Sequence, residues 1–226
     1  MKKISQIIEY FQRTMPDAES ELRYSNNFEL LVAVMLSAQC TDKRVNMVTP
    51  LLFAHYPDAM SMAKASPEEI LAHISSISYP NSKARHLAEM ARMLTKEFGG
   101  EVPSNHDDLV RLPGVGRKTA NVVMAVAFGS AAMPVDTHVF RVSHRIGLAD
   151  DSCTTPLSVE RRLTTLFPSR LLSRAHHWLI LHGRYVCQAR SPKCEECGIS
   201  HLCKEYKERG RKPSKTTDKS NADKKH

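Results

Sequence analysis

The sequence contains no long apolar run. No stretch approaches the roughly 18 apolar residues that a membrane-spanning helix needs. The first residues include two lysines, as a signal peptide does, but Gln6, Glu9 and Arg13 interrupt the apolar region that would have to follow. We therefore expect a cytoplasmic protein that is not secreted and does not contact a membrane.

Signals for β-structure are also missing. No Asn-Gly turn lies between alternating apolar and polar runs, and no segment of the chain repeats. The apolar residues instead form dense blocks at 28–36, 121–128 and 178–181, as buried helices do. A capping box at Ser66-Pro67-Glu68-Glu69 marks one helix start, and Ser104-Asn105-His106-Asp107 is a weaker version of it. The sequence predicts an all-α fold.

The charge of the chain is unevenly distributed. The net charge of +8 indicates an anionic partner, of which nucleic acid is the commonest. Residues 204–226 hold nine basic and four acidic side chains and so contribute +5 of it. From Lys207 onward Ala222 is the only aliphatic residue, which predicts a disordered basic tail over 207–226. Such a tail is either a solvating extension or a loose, salt-sensitive contact with nucleic acid.

Four of the six cysteines lie within 17 residues, in the spacing C-x6-C-x2-C-x5-C: Cys187, Cys194, Cys197 and Cys203. In a cytoplasmic protein such a cluster indicates a metal site, because disulfides are rare there. Zinc sites usually show two short Cys pairs, whereas this chain has one, so zinc and an iron–sulfur cluster both stay open on spacing alone. Cys40 and Cys153 are far away in sequence and are most simply small apolar fillers.

The loop between the first two of these cysteines carries Arg190 and Lys193. If Cys187 and Cys194 fix its ends, both cations are held on a rigid loop suited to contacting phosphates. The alternative is that they are ordinary solvated charges.

Two glycines separate two helical segments at Leu112-Pro113-Gly114-Val115-Gly116-Arg117-Lys118-Thr119. Such a turn is either an ordinary connection between helices or an anion cradle, formed by its N–H groups and the start of the next helix. Lys118 falls in the first turn of that helix, where a cation is slightly unfavourable. Together with the partial burial we expect there, this favours the neutral amine, a nucleophile that could attack a sugar carbon.

Asp136 precedes a helix that ends near Gly147, so it is suited to be the helix N-cap. It can also return to Lys118. A helix over 117–129 is ~20 Å long, and the six nearly extended residues 130–135 span at most ~20–22 Å. Asp136 therefore has two candidate roles, as a cap and as a catalytic carboxylate.

Together these features resemble the endonuclease III family over about residues 5–205. The matching stretches are Leu36–Gln39, Asn81–Ala84, Leu112–Val123, Val135–Arg141, His177–Arg184 and the cysteine loop. The resemblance implies two helical domains with the active site in the cleft between them. One is a six-helix barrel over 21–130, with a helix–hairpin–helix motif at about 105–128. The other joins 1–20 to 131–206 and holds one [4Fe–4S] cluster per chain on the four cysteines.

The same resemblance implies a bifunctional base-excision repair enzyme. It would be a DNA N-glycosylase that removes damaged pyrimidines and an AP lyase that cleaves 3′ to the abasic site by β-elimination. Lys118 would form the Schiff base and Asp136 would stabilise the cationic sugar. Double-stranded DNA with damaged bases or abasic sites would be the partner of a nucleoid-associated monomer. The DNA-contacting residues would be Leu112, Gly114, Val115 and Gly116 of the hairpin, together with Arg190 and Lys193.

Two further segments are implied to enter the duplex and fill the space of an extruded nucleotide. These are Gln39 and the loop Ile77-Ser78-Tyr79-Pro80. The family usually has Ile-Gly, an aliphatic residue and Tyr in that loop, so this chain departs from the pattern. Tyr79 could stack on bases in place of the aliphatic wedge, and the range of lesions accepted does not follow from the sequence.

Two other functions compete with this interpretation. Related adenine-mismatch glycosylases share the hairpin and the cysteine loop, but they lack the lysine at the position of Lys118 and carry a further C-terminal domain. Here the lysine is present, and only a polar tail follows Cys203. A non-catalytic DNA-binding module would use the same hairpin and cluster without chemistry. Only a Schiff-base enzyme would be captured on DNA by borohydride, which separates these cases.

Overall fold

The protein, represented by a computed structural model, is described over residues 2–211. The α-helices of this part are α1 (Lys2–Thr14), α2 (Asn27–Ser37), α3 (Asp42–His55), α4 (Ala59–Ala63), α5 (Pro67–Ile74), α6 (Pro80–Glu97), α7 (His106–Arg111), α8 (Arg117–Ala127), α9 (Thr137–Ile146), α10 (Pro156–Leu166), α11 (Leu172–Tyr185) and α12 (Lys204–Arg211). Short 3₁₀ helices lie at Ser169–Leu171 and Ser200–Leu202. Residues 2–211 contain no strand. Within them, no helix has the length and apolarity to cross a membrane.

The first hydrophobic core is built by α2 to α8 around α2. That helix is buried on nearly every side, at Phe28 and from Leu30 to Leu36. The dense apolar sequence of α2 therefore forms a buried central helix, as the apolar pattern predicted. The short helix α4 adds to the six helices expected for this region. It forms because Asp58 and Ser61 make a capping box, in which each side chain accepts the N–H of the other residue.

The second hydrophobic core joins the N-terminal helix to the C-terminal third of the chain. Ile7 and Phe11 of α1 are fully buried among residues of α9, α10 and α11. The ring of Phe11 stacks on that of Trp178, with centroids 5.7 Å apart. The indole N–H of Trp178 donates to the Met15 carbonyl at 2.8 Å. Aromatic packing and this hydrogen bond hold the two ends of the chain together.

Polar contacts connect the two cores. Arg184 of α11 pairs with Asp42 of α3 at 2.7 Å and also with Glu21. On α8, Arg117 pairs with Glu160 of α10 at 2.9 Å. These links leave a cleft between the cores that opens to the surface.

The C-terminal helix α12 corrects one expectation. A disordered tail was predicted from Lys207, but the helix continues to Arg211. Glu205 stabilises it through an ion pair with Arg145 at 3.0 Å and another with Arg209, one turn further on. The prediction is therefore wrong for residues 207–211. Residues 212–226 lie outside the described part of the chain.

Candidate active site

The cleft between the two cores has a volume of about 520 Å³, within the usual range for ligand sites. The first core contributes Lys118 of α8 and Gln39, which follows α2. The second core contributes Asp136, before α9, and His176 of α11. The structure thus brings the Lys118 amine and the Asp136 carboxylate into one cleft. The length of the chain between them had indicated that this was possible.

Lys118 stands in the first turn of α8, as predicted, because α8 begins at Arg117. Its side chain is exposed, so the partial burial expected from the sequence is not present. Gly116 is the N-cap of α8, and no side chain of the described residues 2–211 accepts the N–H groups of this first turn. Lys118 is therefore a solvent-accessible amine beside an uncapped helix start, where free N–H groups favour an anion.

The hairpin before α8 depends on Gly114. Its φ of 78° is left-handed, and a Cβ there would lie 2.8 Å from the Cβ of His86 and 3.0 Å from the Cε of Met35. The N–H of Val115 donates to the Leu112 carbonyl at 3.0 Å and closes the turn.

The hairpin offers its backbone, not its apolar side chains, to the surface. The side chains of Leu112 and Val115 are buried in the first core, so only backbone groups of these two residues can reach a ligand. A Cβ on Gly116 would meet no atom within 4 Å. No acceptor within residues 2–211 receives the N–H of Gly114 or Gly116. These N–H groups form a small surface that can accept an anion.

Asp136 is the N-cap of α9 and lines the cleft. Its Oδ1 accepts the Val139 N–H at 2.8 Å. The other carboxylate oxygen has no hydrogen-bond partner in the described part of the chain. The preceding Met133 and Val135 are buried in the second core, which fixes the segment that leads to Asp136. Asp136 can therefore cap α9 and line the cleft at the same time.

No role was predicted from the sequence for His176 or His177, yet both line the cleft. Nδ1 of His176 lies 2.8 Å from the Pro134 carbonyl. Since a carbonyl only accepts, Nδ1 carries the hydrogen and Nε2 is left as an acceptor. Burial, with the neighbouring His177, lowers the pKa of His176 to about 3, and burial lowers the pKa of His177 to about 4. His176 is thus a neutral group that anchors the segment carrying Asp136.

The four clustered cysteines line one pocket beside α9 and α11, together with Ile146 and His182. Burial raises the pKa of the Cys197 and Cys203 thiols, and a bound cation would favour their thiolate forms. All four thiols belong to residues that line this pocket. Within residues 2–211, no group of three or more His, Cys, Asp or Glu side chains is spaced to hold a single metal ion. Four thiols around one pocket fit an iron–sulfur cluster.

Comparison with known proteins decides the family. Residues 32–169 match the HhH-GPD superfamily of base excision DNA repair proteins, and residues 187–203 match the iron-sulfur binding domain of endonuclease III. Endonuclease III of Rickettsia conorii is 46% identical over 203 residues, which cover 90% of this chain and 96% of that protein. Endonuclease III of Bacillus subtilis is 46% identical over 214 residues, covering 94% and 96%. The solved structure of a trapped endonuclease III–DNA covalent intermediate, an estranged-adenine complex, matches with a TM-score of 0.87 at 45% identity, covering 93% of this chain and 98% of that one.

The chain belongs to the endonuclease III family. As a member of this family it is a base-excision repair enzyme with DNA N-glycosylase and AP lyase activity, and it carries an iron–sulfur cluster. The family, the all-α fold, the type of enzyme and the iron–sulfur cofactor predicted from the sequence are confirmed.

The loop that carries Arg190 and Lys193 in this endonuclease III family member is anchored at several points. Arg145 of α9 donates to the carbonyl of Gln188 at 2.7 Å and to that of Ala189 at 2.9 Å. The N–H of Lys193 donates to the Val186 carbonyl at 2.9 Å. Both cations are exposed on this anchored loop.

Gln39 and Tyr79, the two expected wedge residues, share a backbone feature. In the described part of the chain they are the only non-glycine residues with a positive φ, at 55° and 56°. Both are exposed, Tyr79 to 65% of its surface, and both line one surface depression with Gly114. The departure from the family pattern at residues 77–80 thus places an aromatic ring on the surface beside the hairpin.

Proposed function

We propose that this endonuclease III family member removes damaged pyrimidines from double-stranded DNA and cleaves the strand 3′ to the resulting abasic site, with Lys118 as the nucleophile. The observation that carries this proposal is that Lys118 and Asp136 line one cleft, beside the uncapped start of α8. An amine that can attack a sugar carbon and a carboxylate that can accept its proton thus lie in one cleft, beside N–H groups that can bind a phosphate.

Asp136 acts on the leaving step. When the glycosidic bond breaks, the base leaves with the bonding electron pair and takes up a proton, and the sugar becomes oxocarbenium-like. The Asp136 carboxylate stabilises this positive charge and accepts a proton from the amine. Its bond to the Val139 N–H fixes its orientation without occupying its second oxygen.

Lys118 forms the new bond. Its neutral Nζ attacks the anomeric carbon, and the sugar ring then opens to a Schiff base. Loss of a proton from the adjacent carbon expels the 3′ phosphate, which breaks the strand by β-elimination. Water then releases the enzyme from the sugar.

The hairpin and the cysteine loop hold the DNA. The free N–H groups of Gly114 and Gly116 bind phosphate without reading sequence, and the buried side chains of Leu112 and Val115 support this turn. Arg190 and Lys193 add exposed cations on an anchored loop. The solved endonuclease III–DNA covalent intermediate, which this chain resembles, supports this role because that protein has DNA bound.

Gln39 and Tyr79 enter the duplex and replace the extruded nucleotide. Their exposure and their position around one depression beside the hairpin support this role. The ring of Tyr79 stacks on the neighbouring bases.

The four cysteines hold one [4Fe–4S] cluster, which supplies four fixed attachment points for the loop.

We also propose that the two cores mark two domains, 21–130 and 1–20 with 131–206, and that the enzyme works as a monomer associated with the nucleoid. Sedimentation of the purified protein with and without a short duplex tests the monomer.

A substrate panel tests the proposed specificity. Single-turnover base release is measured on matched duplexes with an oxidised pyrimidine, an alkylated purine, or adenine opposite 8-oxoguanine. We expect release of the oxidised pyrimidine, with strand cleavage, and much slower reaction of the other two. Preferential release of adenine or of the alkylated purine would contradict the proposal.

A further inference from the structure

The two residues proposed to enter the duplex are held in an unusual backbone conformation. A positive φ is sterically unfavourable for residues with a side chain, and it persists only where the surroundings fix it. Gln39 follows α2 and Tyr79 precedes α6, so the two residues lie at the ends of different helices. A single group that bonds to both segments would fix both at once.

Lys83 makes this connection. Its Nζ donates to the carbonyl of Leu36 at 2.8 Å and to that of Ala38 at 2.6 Å. These carbonyls lie at the C-terminal end of α2, where they have no partner within the helix and favour a cation. Gln39 is the next residue after Ala38.

The same lysine is linked to the second wedge residue. Its backbone N–H donates to the Tyr79 carbonyl at 3.1 Å, in the first turn of α6. Its side chain also lines the depression between Gln39 and Tyr79. Through one backbone bond and two side-chain bonds, Lys83 sets the distance between the two segments.

We propose that Lys83 is a positioning residue that presets Gln39 and Tyr79 for insertion into the duplex. The inference rests on the proposed function, in which these two residues replace the extruded nucleotide. It follows that Lys83 matters most when a nucleotide has to leave a paired duplex. It matters little when the target site is already unpaired, because Lys118 lies on α8 and Asp136 caps α9, away from these bonds.

The test compares Lys83→Met, which keeps length but removes the ammonium, with Lys83→Arg, which can still donate. Lys43→Met, at an exposed lysine of α3, is the matched control. Two single-turnover rates are measured: release of an oxidised pyrimidine from duplex, and strand cleavage at an abasic site in a single strand. We expect Lys83→Met to lower the ratio of the first rate to the second by about 10²-fold, as misplacement of positioning groups does. Lys83→Arg should restore most of the ratio, and Lys43→Met should keep the wild-type value.

Equal loss of both rates in Lys83→Met would mean that the lysine only supports the fold, and the inference would be overturned. A wild-type ratio would overturn it as well. Gln39→Ala separates this inference from the proposed function. If Gln39→Ala slows duplex base release and Lys83→Met does not, only the role of Lys83 is wrong. If Gln39→Ala releases the base at the wild-type rate, the proposed insertion itself is wrong.

Discussion

Asp136 and Val139 are joined by a hydrogen bond of 2.8 Å between the Oδ1 of the carboxylate and the backbone N–H. This bond makes Asp136 the N-cap of α9 while its side chain lines the cleft that contains Lys118. The capping role and the proposed catalytic role therefore belong to the same carboxylate, and only a variant that keeps one of them can separate the two.

Asp136→Asn keeps the cap and removes the charge. We expect its free energy of unfolding to stay within about 1 kcal/mol of the wild type, because Asn caps helices as well as Asp. Base release should fall by at least about 10²–10³, the size of a lost electrostatic contribution of ~3–4 kcal/mol. Asp136→Ala removes both and should also lose about 1 kcal/mol of stability. Thermal melting and single-turnover base release measure the two effects. A wild-type rate in Asp136→Asn would leave Asp136 with capping alone.

The hairpin predicts different results for its two glycines. Gly116→Ser places a preferred cap residue in open space, so the fold should be retained. The new hydroxyl would accept first-turn N–H groups, so affinity for undamaged duplex should fall about tenfold, or ~1.4 kcal/mol. Gly114→Ala should instead destabilise the fold, because a Cβ there overlaps His86. Gly210→Ser, on α12, is the matched control. Unchanged affinity in Gly116→Ser would show that these N–H groups do not bind DNA.

Buried neutral histidines predict a pH dependence of stability. The folded-state pKa of His176 is about 3 and that of His177 about 4, both below the unfolded value near 6.5. As pH falls below 6.5 the unfolded chain takes up protons that the folded protein does not. Each histidine should therefore lower the free energy of unfolding by about 1.4 kcal/mol per pH unit until its folded pKa is reached. His176→Asn, whose amide can still donate to Pro134, should reduce this slope by that amount. Equal slopes in wild type and His176→Asn would show that burial does not keep His176 neutral.

The cysteine loop predicts a link between iron and DNA affinity. Cys197→Ser should lose bound iron, and the loop carrying Arg190 and Lys193 should loosen. Each phosphate that this loop then fails to neutralise lowers the slope of log affinity against log salt by ~0.9. Iron content and duplex affinity between low and moderate salt are the measurements. Cys153→Ala, outside the cysteine pocket, should keep the iron. Full iron content in Cys197→Ser would show that Cys197 is not a ligand of the cluster.

Local signals in the sequence predicted the helix starts well but not to the residue. Ser66 is an N-cap with its capping box, as predicted. The weaker signal at Ser104 was shifted by one residue, because Asn105 caps α7 and accepts the N–H of Asp108. Asn and Ser cap equally well, so the local pattern alone does not choose between neighbouring positions.

Features that depend on tertiary contacts did not follow from the sequence. The helix α12 extends into the predicted tail because Arg145, far away in the chain, pairs with Glu205. The exposure of Lys118 depends on how the cores leave the cleft open. The roles of His176 and Lys83 depend on carbonyls of other segments, Pro134 for one and the end of α2 for the other. Apolar periodicity and motif spacing do not indicate which residues distant in the chain will be in contact.

Borohydride trapping on a duplex with an abasic site tests whether Lys118 bonds to the sugar. Reduction should convert the Schiff base of the wild type into a stable protein–DNA complex, and digestion with mass spectrometry should locate the adduct on Lys118. Lys118→Ala should give no complex and no strand cleavage while its duplex affinity changes little, and Lys43→Ala should be trapped like the wild type. A trapped complex with Lys118→Ala, or an adduct on another residue of the wild type, would show that Lys118 is not the nucleophile.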